Sequence, residues 1–429
     1  MTPQSNFMVA APIAADREDA LRAMLATMSS RPGVVDPNNS LLPFAQFERL
    51  HVARFVILHD ETLGDLAQYC ESFPDAPVWL VFLGDCDGPA DTMLREFATH
   101  AGAGLAQIFS HCQDFDRGGD LVTWMRRHTA TPAAQYINWV GRTVRQIREE
   151  ATLHAALRER LVRDGATFME QTPVAVHRLL GAAVRQDGPS LTPPAATPIL
   201  WRASKIGNLI GVPLALLALF PFLLLYLPFF LYQLRQREKT DAVIAPRPTP
   251  EHVDALSVLE DHDVSNQFSA FGCVKPGRFR LWTLVFIFWV LNFSTRQIYT
   301  RGRLARVGTI HFARWVFLDN RRRLLFASNY DGSLDSYMDD FINKVAYGLN
   351  LVFSNGVGYP RTNFLLGGGA QYEQTFKYFL RRHEVPTQVW YKAYPGLTAA
   401  DLARNTLIRE GLERREMTDE AARRWLELI

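Results

Sequence analysis

Cysteine is scarce in this chain: four in 429 residues, at positions 70, 86, 112 and 273. They show no metal-ligand spacing and no disulfide-rich pattern, so a reduced, cytoplasmic compartment is expected. Charge of one sign is lacking as well. Lys and Arg number 46 against 44 Asp and Glu, a formal +2, which by itself points to no particular partner. No Ser-His-Asp arrangement and no cysteine cluster suited to a metal occurs. The basic stretch that does occur is tied to an apolar segment and lacks stacking aromatics interleaved on a strand, so no nucleic-acid partner is expected. The opening residues, Met1-Thr-Pro-Gln-Ser-Asn-Phe7, lack a basic stretch followed by an apolar core, so no secretory signal is expected. Charged residues are few at 21% and aromatics plentiful at 12%, and the apolar excess is local.

What the chain does contain is itself, twice. His51-Val-Ala-Arg54-Phe-Val-Ile-Leu58 recurs as His311-Phe-Ala-Arg314-Trp-Val-Phe-Leu318. Asp87-Gly88, Gly104-Leu105 and Phe109-Ser110 return at one common spacing as Asp331-Gly332, Gly348-Leu349 and Phe353-Ser354. A repeat unit longer than a hundred residues is a duplicated domain and not a solenoid. In the second copy, aromatic and β-branched residues over 311–318, a charged turn and residues 323–328 read as a hairpin. Apolar residues at 338, 341, 342, 345, 349 and 352 follow at helical spacing. A helix over 371–382, a strand over 387–393 and a helix from about 399 to 413 complete the unit. The first copy repeats this order with strands at 51–58 and 78–83, a helix over 89–110, another over 121–128 and a strand near 136. A strand and helix precede each hairpin, at 8–12 and 16–28, then at 267–274 and 279–299.

Strand, helix, strand, strand, helix, strand is the ferredoxin-like order. The expected fold is α+β: two tandem ferredoxin-like units of the dimeric α/β-barrel type, packed sheet to sheet. The expected division is 1–165 for the first unit, 166–260 for a linker with an apolar segment at 206–234, and 261–429 for the second unit with an apolar helix at 281–293.

Leu209–Tyr232 runs twenty-four residues without a charge, long enough for a membrane span. Pro213, Pro221 and Pro228 interrupt it, and both flanks are basic, so loop charge sets no orientation. Two copies that pack together must lie on one side of a membrane, which requires an even number of crossings. Twenty-four residues cannot cross twice, so a re-entrant or interfacial hairpin is expected and the protein reads as monotopic. The second run, Leu281–Phe293, is too short to span and leads into Arg296, Arg301, Arg303 and Arg306, with no acid before Asp319. An apolar helix ending in arginines suits anionic headgroups. Membrane lipids are thus the expected partners, through 206–234 and 281–306, on the cytoplasmic face.

The repeated histidine and arginine carry two readings. Residues three apart on a strand face opposite ways, so without a bulge His311 and Arg314 cannot line one pocket. Arg54 and Arg314 then sit on a helix-covered face and need a carboxylate, with Asp87 and Asp331 as natural partners, or several carbonyls. Asp87 and Asp331 also stand where they can cap the helices that directly follow them. The functional reading gathers His311, Asp331, Asn329, Asn355 and Arg361 around one cavity as a catalytic group. It adds His51, Asp87, His111, Arg54 and Arg314 as cofactor-side residues, Asp85 and His111 standing in the first copy where the second has Asn329 and Asn355. A buried histidine beside a carboxylate serves as general base or metal ligand. Gly367-Gly-Gly369 reads as a turn rather than a phosphate cradle.

From Gly308-Thr-Ile-His311 through Ser328-Asn-Tyr-Asp-Gly332 to Ser354-Asn-Gly-Val-Gly-Tyr-Pro360 the chain resembles a group of bacterial membrane-associated proteins with tandem ferredoxin-like units, which implies no activity. Gly84-Asp-Cys-Asp87-Gly88 also resembles the Gly-x-x-Asp-Gly motif of the dye-decolourising peroxidase and chlorite dismutase superfamily. That resemblance implies haem, an aspartate beside it, a histidine iron ligand and oxidation of an apolar substrate. The second copy has Ser328 in place of the first glycine, and neither His154, His177 nor His383 takes the place of the iron ligand, which puts haem in doubt. The alternatives are a module binding a lipid or small apolar ligand between the sheets, and a membrane scaffold.

Overall fold

The computed structural model describes residues 1–414 and 416–429. Eight strands form its centre: β1 (Gln4–Pro12), β2 (Leu50–Leu58), β3 (Trp79–Asp87), β4 (Ala134–Ile137), β5 (Ser265–Cys273), β6 (Ile310–Leu318), β7 (Arg323–Asp331) and β8 (Thr387–Lys392). They build two antiparallel sheets, ordered β1-β3-β2-β8 and β4-β6-β7-β5. The chain is a mixed α+β protein; the strands and helices read from the repeat lie within a few residues of their expected places, and the helices Val144–Arg163, Pro173–Asp187 and Asp419–Leu426 lie outside that reading.

Every residue of β2 is buried, because both of its faces are covered. Ala53, Phe55 and Ile57 look outward to the helix Ala90–Phe109, where Phe97 and Leu105 meet them. Val56 and Leu58 look inward and meet Val316, Leu318 and Leu325 of the other sheet. The face that carries Arg54 and Arg314 is therefore this inner face. The expectation that it covers a helix is wrong.

The last strand of each half crosses over. The segment around Thr129 begins beside β1, with the Ala10 amide on the His128 carbonyl and the Ala130 amide on the Met8 carbonyl, both at 2.9 Å. It then continues as β4 at the edge of the other sheet, paired with β6. Val385 likewise bonds Ser269 of β5 at 2.8 Å before the chain continues as β8 against β2. Each sheet thereby takes its edge strand from the other side of the 166–260 segment.

The two long helices over the sheets, Ala90–Phe109 and Leu334–Phe353, each break helical geometry at one residue, Ala101 (φ −135°) and Val345 (φ −147°). Between the halves, helices Val144–Arg163 and Pro173–Asp187 pack with Ala399–Leu412 and Asp419–Leu426 around Leu153, Leu180, Ile408 and Trp425.

The apolar segment is one continuous helix, Ile199–Thr240, of 42 residues or roughly 63 Å. It contains its three prolines without turning back, so the expected hairpin does not form. Its most apolar stretch is wholly exposed, and this exposure on all sides is compatible with membrane association. Near its start the Lys205 carbonyl accepts from Gln297 at 3.3 Å; further along, Phe230 stacks on Phe279 at 5.4 Å. Both partners belong to one helix, Arg278–Gln297, so the long helix lies alongside it in the opposite direction.

Candidate functional site

His51 and His311 are each the extra residue of a β-bulge. Leu50 pairs with Cys86 and Val52 with Asp85; Ile310 pairs with Tyr330 and Phe312 with Asn329. A bulge re-aims its side chain. The His51 ring accordingly lies 5.4 Å from Phe312, which shares the Arg314 face of its strand. His51 Nε2 stands 3.0 Å from Asp87 Oδ1 and its Nδ1 3.3 Å from the Tyr394 hydroxyl. His311 Nε2 stands 2.6 Å from Asp331 Oδ1, which also accepts the Ser265 hydroxyl at 2.6 Å. The Tyr394 ring is 5.8 Å from His51 and 6.4 Å from His311, so both pairs converge at one end of the sheets.

The second oxygen of each aspartate accepts a backbone amide: Val144 on Asp87 at 2.9 Å and Ala399 on Asp331 at 2.7 Å. These residues open the helices Val144–Arg163 and Ala399–Leu412, whose first amides lack partners and favour a carboxylate. The aspartates thus hold distant helices. Ser333 caps the helix that directly follows Asp331. Burial pushes the Asp331 carboxyl up, but His311, Ser265 and the Ala399 amide together hold it below the ordinary aspartate value. Both histidines are nearly inaccessible, at 1% and 4% exposure. With each aspartate's two oxygens engaged, the pairs tie strand ends to helix starts. Lys392 completes the cluster, donating to Ser265 Oγ at 2.6 Å and to the Leu397 carbonyl at 2.7 Å.

The arginines clamp one sheet to the other. Arg54 Nη1 donates to the Phe268 carbonyl at 2.9 Å and to Ser269 Oγ at 3.0 Å, and Nη2 to the Ser328 carbonyl at 2.8 Å. Arg314 Nη1 donates to the Phe7 carbonyl at 2.9 Å, and Nη2 to the Gly84 carbonyl at 3.1 Å and to Asp85 at 2.5 Å. The carboxylate partner is Asp85 and not Asp87 or Asp331. Asn329 accepts the Phe312 amide at 2.9 Å, and its side-chain nitrogen has no partner among the described residues. Burial, with Arg314 nearby, lowers the Arg54 guanidinium to about 9, and burial raises the Asp85 carboxyl against the pull of Arg314.

The remaining expected site residues lie elsewhere. Asn355 accepts the Lys275 amide through its carbonyl at 2.8 Å, and Arg361 Nε donates to the Asp241 carbonyl at 3.0 Å. Both are near the Cys273 end of β5, roughly 26 Å along the strand from Ser265 and Asp331. His111, whose carbonyl accepts the Ala14 amide at 2.8 Å, is likewise at the far end of β1 from Asp87. The ten residues do not surround one cavity. Gly367–Gly368 form a short hairpin with Thr362–Asn363, as the turn reading has it.

A real cavity lies where the motifs gave no signal. About 380 Å³ opens between the outer face of the second sheet and the helices Arg278–Gln297, Leu334–Phe353 and Glu373–His383. Phe268, Trp315 and Phe326 form its floor, Val290 and Val345 stand in its walls, and no charged residue lines it. The matching helix position of the first half, Gly104, lacks this space. A Cβ on Gly348 would meet nothing within 4 Å, whereas one on Gly104 would come 1.9 Å from the Leu41 carbonyl oxygen. In the first half the segment carrying Leu42, Phe44 and Phe47 fills that space. The second half has a shorter connection between Gln297 and Ile310. That length difference was the available signal.

A histidine-ligated haem does not fit these residues. The cavity lining includes no histidine, and the two histidines of the motif are buried against their aspartates. Among the described residues no group of three or more His, Cys, Asp or Glu side chains is placed to hold a metal ion. Comparisons with protein-family models, curated proteins and solved structures gave no match.

Proposed function

We propose that this protein is a membrane-surface module that holds an apolar ligand, the size of an acyl chain, between its second sheet and the helices over it. The observation that carries this reading is the uncharged cavity of about 380 Å³, within the roughly 300–1,000 Å³ of ordinary ligand sites. Phe286 and Val290 line the cavity and are exposed, and Trp282 and Trp289 of the same helix are exposed as well, so the wall helix presents apolar surface. That wall helix runs beside Ile199–Thr240, so lipids at 206–234 and 281–306 are adjacent to the ligand.

The monotopic placement has support in the anchoring of the long helix. Its two contacts with Arg278–Gln297, at Lys205 and Phe230, are roughly 38 Å apart along its axis. Beyond them Glu238 is buried, accepting the Leu365 amide at 2.9 Å, and Thr192, before the helix, bonds Glu149 at 2.7 Å. A perpendicular crossing would separate these ends by a bilayer. Four free thiols suit a reducing, cytoplasmic side. Descent from two tandem ferredoxin-like units has its support in the matched bulges, helix breaks and reciprocal arginines.

The test is lipid extraction and mass spectrometry of full-length protein purified in mild detergent, beside Gly348→Phe, which projects a ring into the cavity. An apolar compound near one-to-one with the parent protein and lost from the variant is expected. The reading fails if the parent brings down only bulk lipid, or if a folded Gly348→Phe retains the compound.

A further inference from the structure

We infer that the ligand of this cavity is an anionic amphiphile drawn from the bilayer, with its chain inside and its phosphate or carboxylate head on Arg301, Arg303 and Arg306. This rests on the cavity reading above and adds the class of ligand. Leu304 and Ala305 line the cavity, and Arg303 and Arg306 flank them in the chain, so the arginines stand at its rim. All three arginines are exposed, and none has an acidic partner among the described residues. Elsewhere the chain pairs its arginines freely, as Arg381 with Glu260 and Glu384 or Arg126 with Asp91. Arg303 and Arg306 beside an uncharged cavity, with Arg301 on the same loop, complement an anionic head joined to an apolar chain.

The loop that bears them is held in place. Leu304 and Val307 exchange backbone hydrogen bonds at 2.9 and 3.0 Å across a tight turn, with Ala305 at φ +53°. A non-glycine residue is disfavoured in that conformation, so the surroundings impose the turn. Arg301 pairs with Trp139 as an isolated bridge, and the Gly302 amide bonds the Asn138 carbonyl at 2.6 Å. The Arg301 guanidinium also lies over the Trp139 ring. Such fixing lowers the ordering cost of binding. On the chain side, a cavity of roughly 150 Å³ holds one benzene, so about 380 Å³ accommodates roughly fifteen carbons.

The experiment is native mass spectrometry of delipidated full-length protein in neutral detergent, titrated with hexadecyl phosphate, hexadecanoate, hexadecanol and inorganic phosphate. Each nearby arginine contributes roughly fivefold, so either anionic amphiphile is expected to bind at least about tenfold tighter than hexadecanol. Arg303→Gln/Arg306→Gln should remove that preference and leave hexadecanol binding unchanged; both side chains are exposed, so folding is unaffected. If hexadecanol binds as tightly as the anions, or the double variant keeps the preference, the headgroup assignment is wrong and the cavity reading stands. Inorganic phosphate competing as well as hexadecyl phosphate would make the arginines a plain anion site and also overturn the assignment. If none of the three chains binds, the cavity reading itself falls.

Discussion

Gly104 and Gly348 hold equivalent places in two helices of equal length, yet alanine should act oppositely at them. At Gly348 the new methyl meets nothing within 4 Å, so the helical preference for alanine over glycine operates alone. That preference is about 0.5–1 kcal/mol. At Gly104 the methyl would lie 1.9 Å from the Leu41 oxygen and 2.6 Å from its Cα and carbonyl carbon. These are backbone atoms in a packed segment, so the helix and the 41–47 segment must separate by more than an ångström. Overpacking of this kind costs about 1–3 kcal/mol or more, and the helical preference offsets only part of it. Gly348→Ala should therefore raise the thermal midpoint by about 1–3 °C, and Gly104→Ala should lower it by several degrees. Thermal unfolding of the purified full-length protein, followed by intrinsic tryptophan fluorescence, reads both. Destabilisation by Gly348→Ala equal to that by Gly104→Ala would refute the claim that only the second half is hollow.

Glu384 is pushed up to about 8 by burial, with Glu260 adding and Arg381 opposing. Its folded value exceeds the unfolded one near 4.3, so its stabilising contribution is complete below about pH 4 and lost as pH rises through 8. The urea midpoint should fall from pH 5 to 8, and fall less in Glu384→Gln; equal slopes would contradict the burial argument. Arg314→Met strands the buried Asp85 carboxylate and should cost about 3–5 kcal/mol, with much of it regained in Arg314→Met/Asp85→Leu. Arg54→Met abandons only carbonyls and Ser269, so about 1–3 kcal/mol is expected from the same urea titrations, and a cost equal to Arg314→Met would undo this ranking. Asp331→Asn should speed hydrogen exchange at the first turn of Ala399–Leu412 while leaving Val144–Arg163 protected. Unchanged exchange at Ala399 would show that Asp331 does not hold that helix.

Strand and helix positions were legible because alternation and helical spacing are local properties, and their recurrence reinforced them. The repeat singles out His51, His311, Asp87 and Asp331 as residues, but strand alternation offers the two aspartates to Arg54 and Arg314 and not to the histidines. Simple alternation places His311 opposite Arg314, and only the pairing register shows that each histidine is the unopposed residue of a bulge. Proximity to the motifs is all that groups Asn355, Arg361 and His111 with them, and it carries no information about which end of a nine-residue strand a side chain occupies. The hairpin expected at 209–232 followed from counting crossings. The chain instead forms one continuous helix there, which meets Arg278–Gln297 at Lys205 and at Phe230.

By itself, the sequence determined the recurring His-x-Ala-Arg segment, most strands and helices around it, the long uncharged helix and the arginine-rich loop, because each depends on residues near one another in the chain. Tertiary structure alone decided where β4 and β8 pair, that Arg54 and Arg314 reach across to the opposite sheet, and that Gly348 borders empty space while Gly104 touches backbone. Those outcomes depend on what another part of the chain brings to the same place, and two identical glycines cannot record that difference.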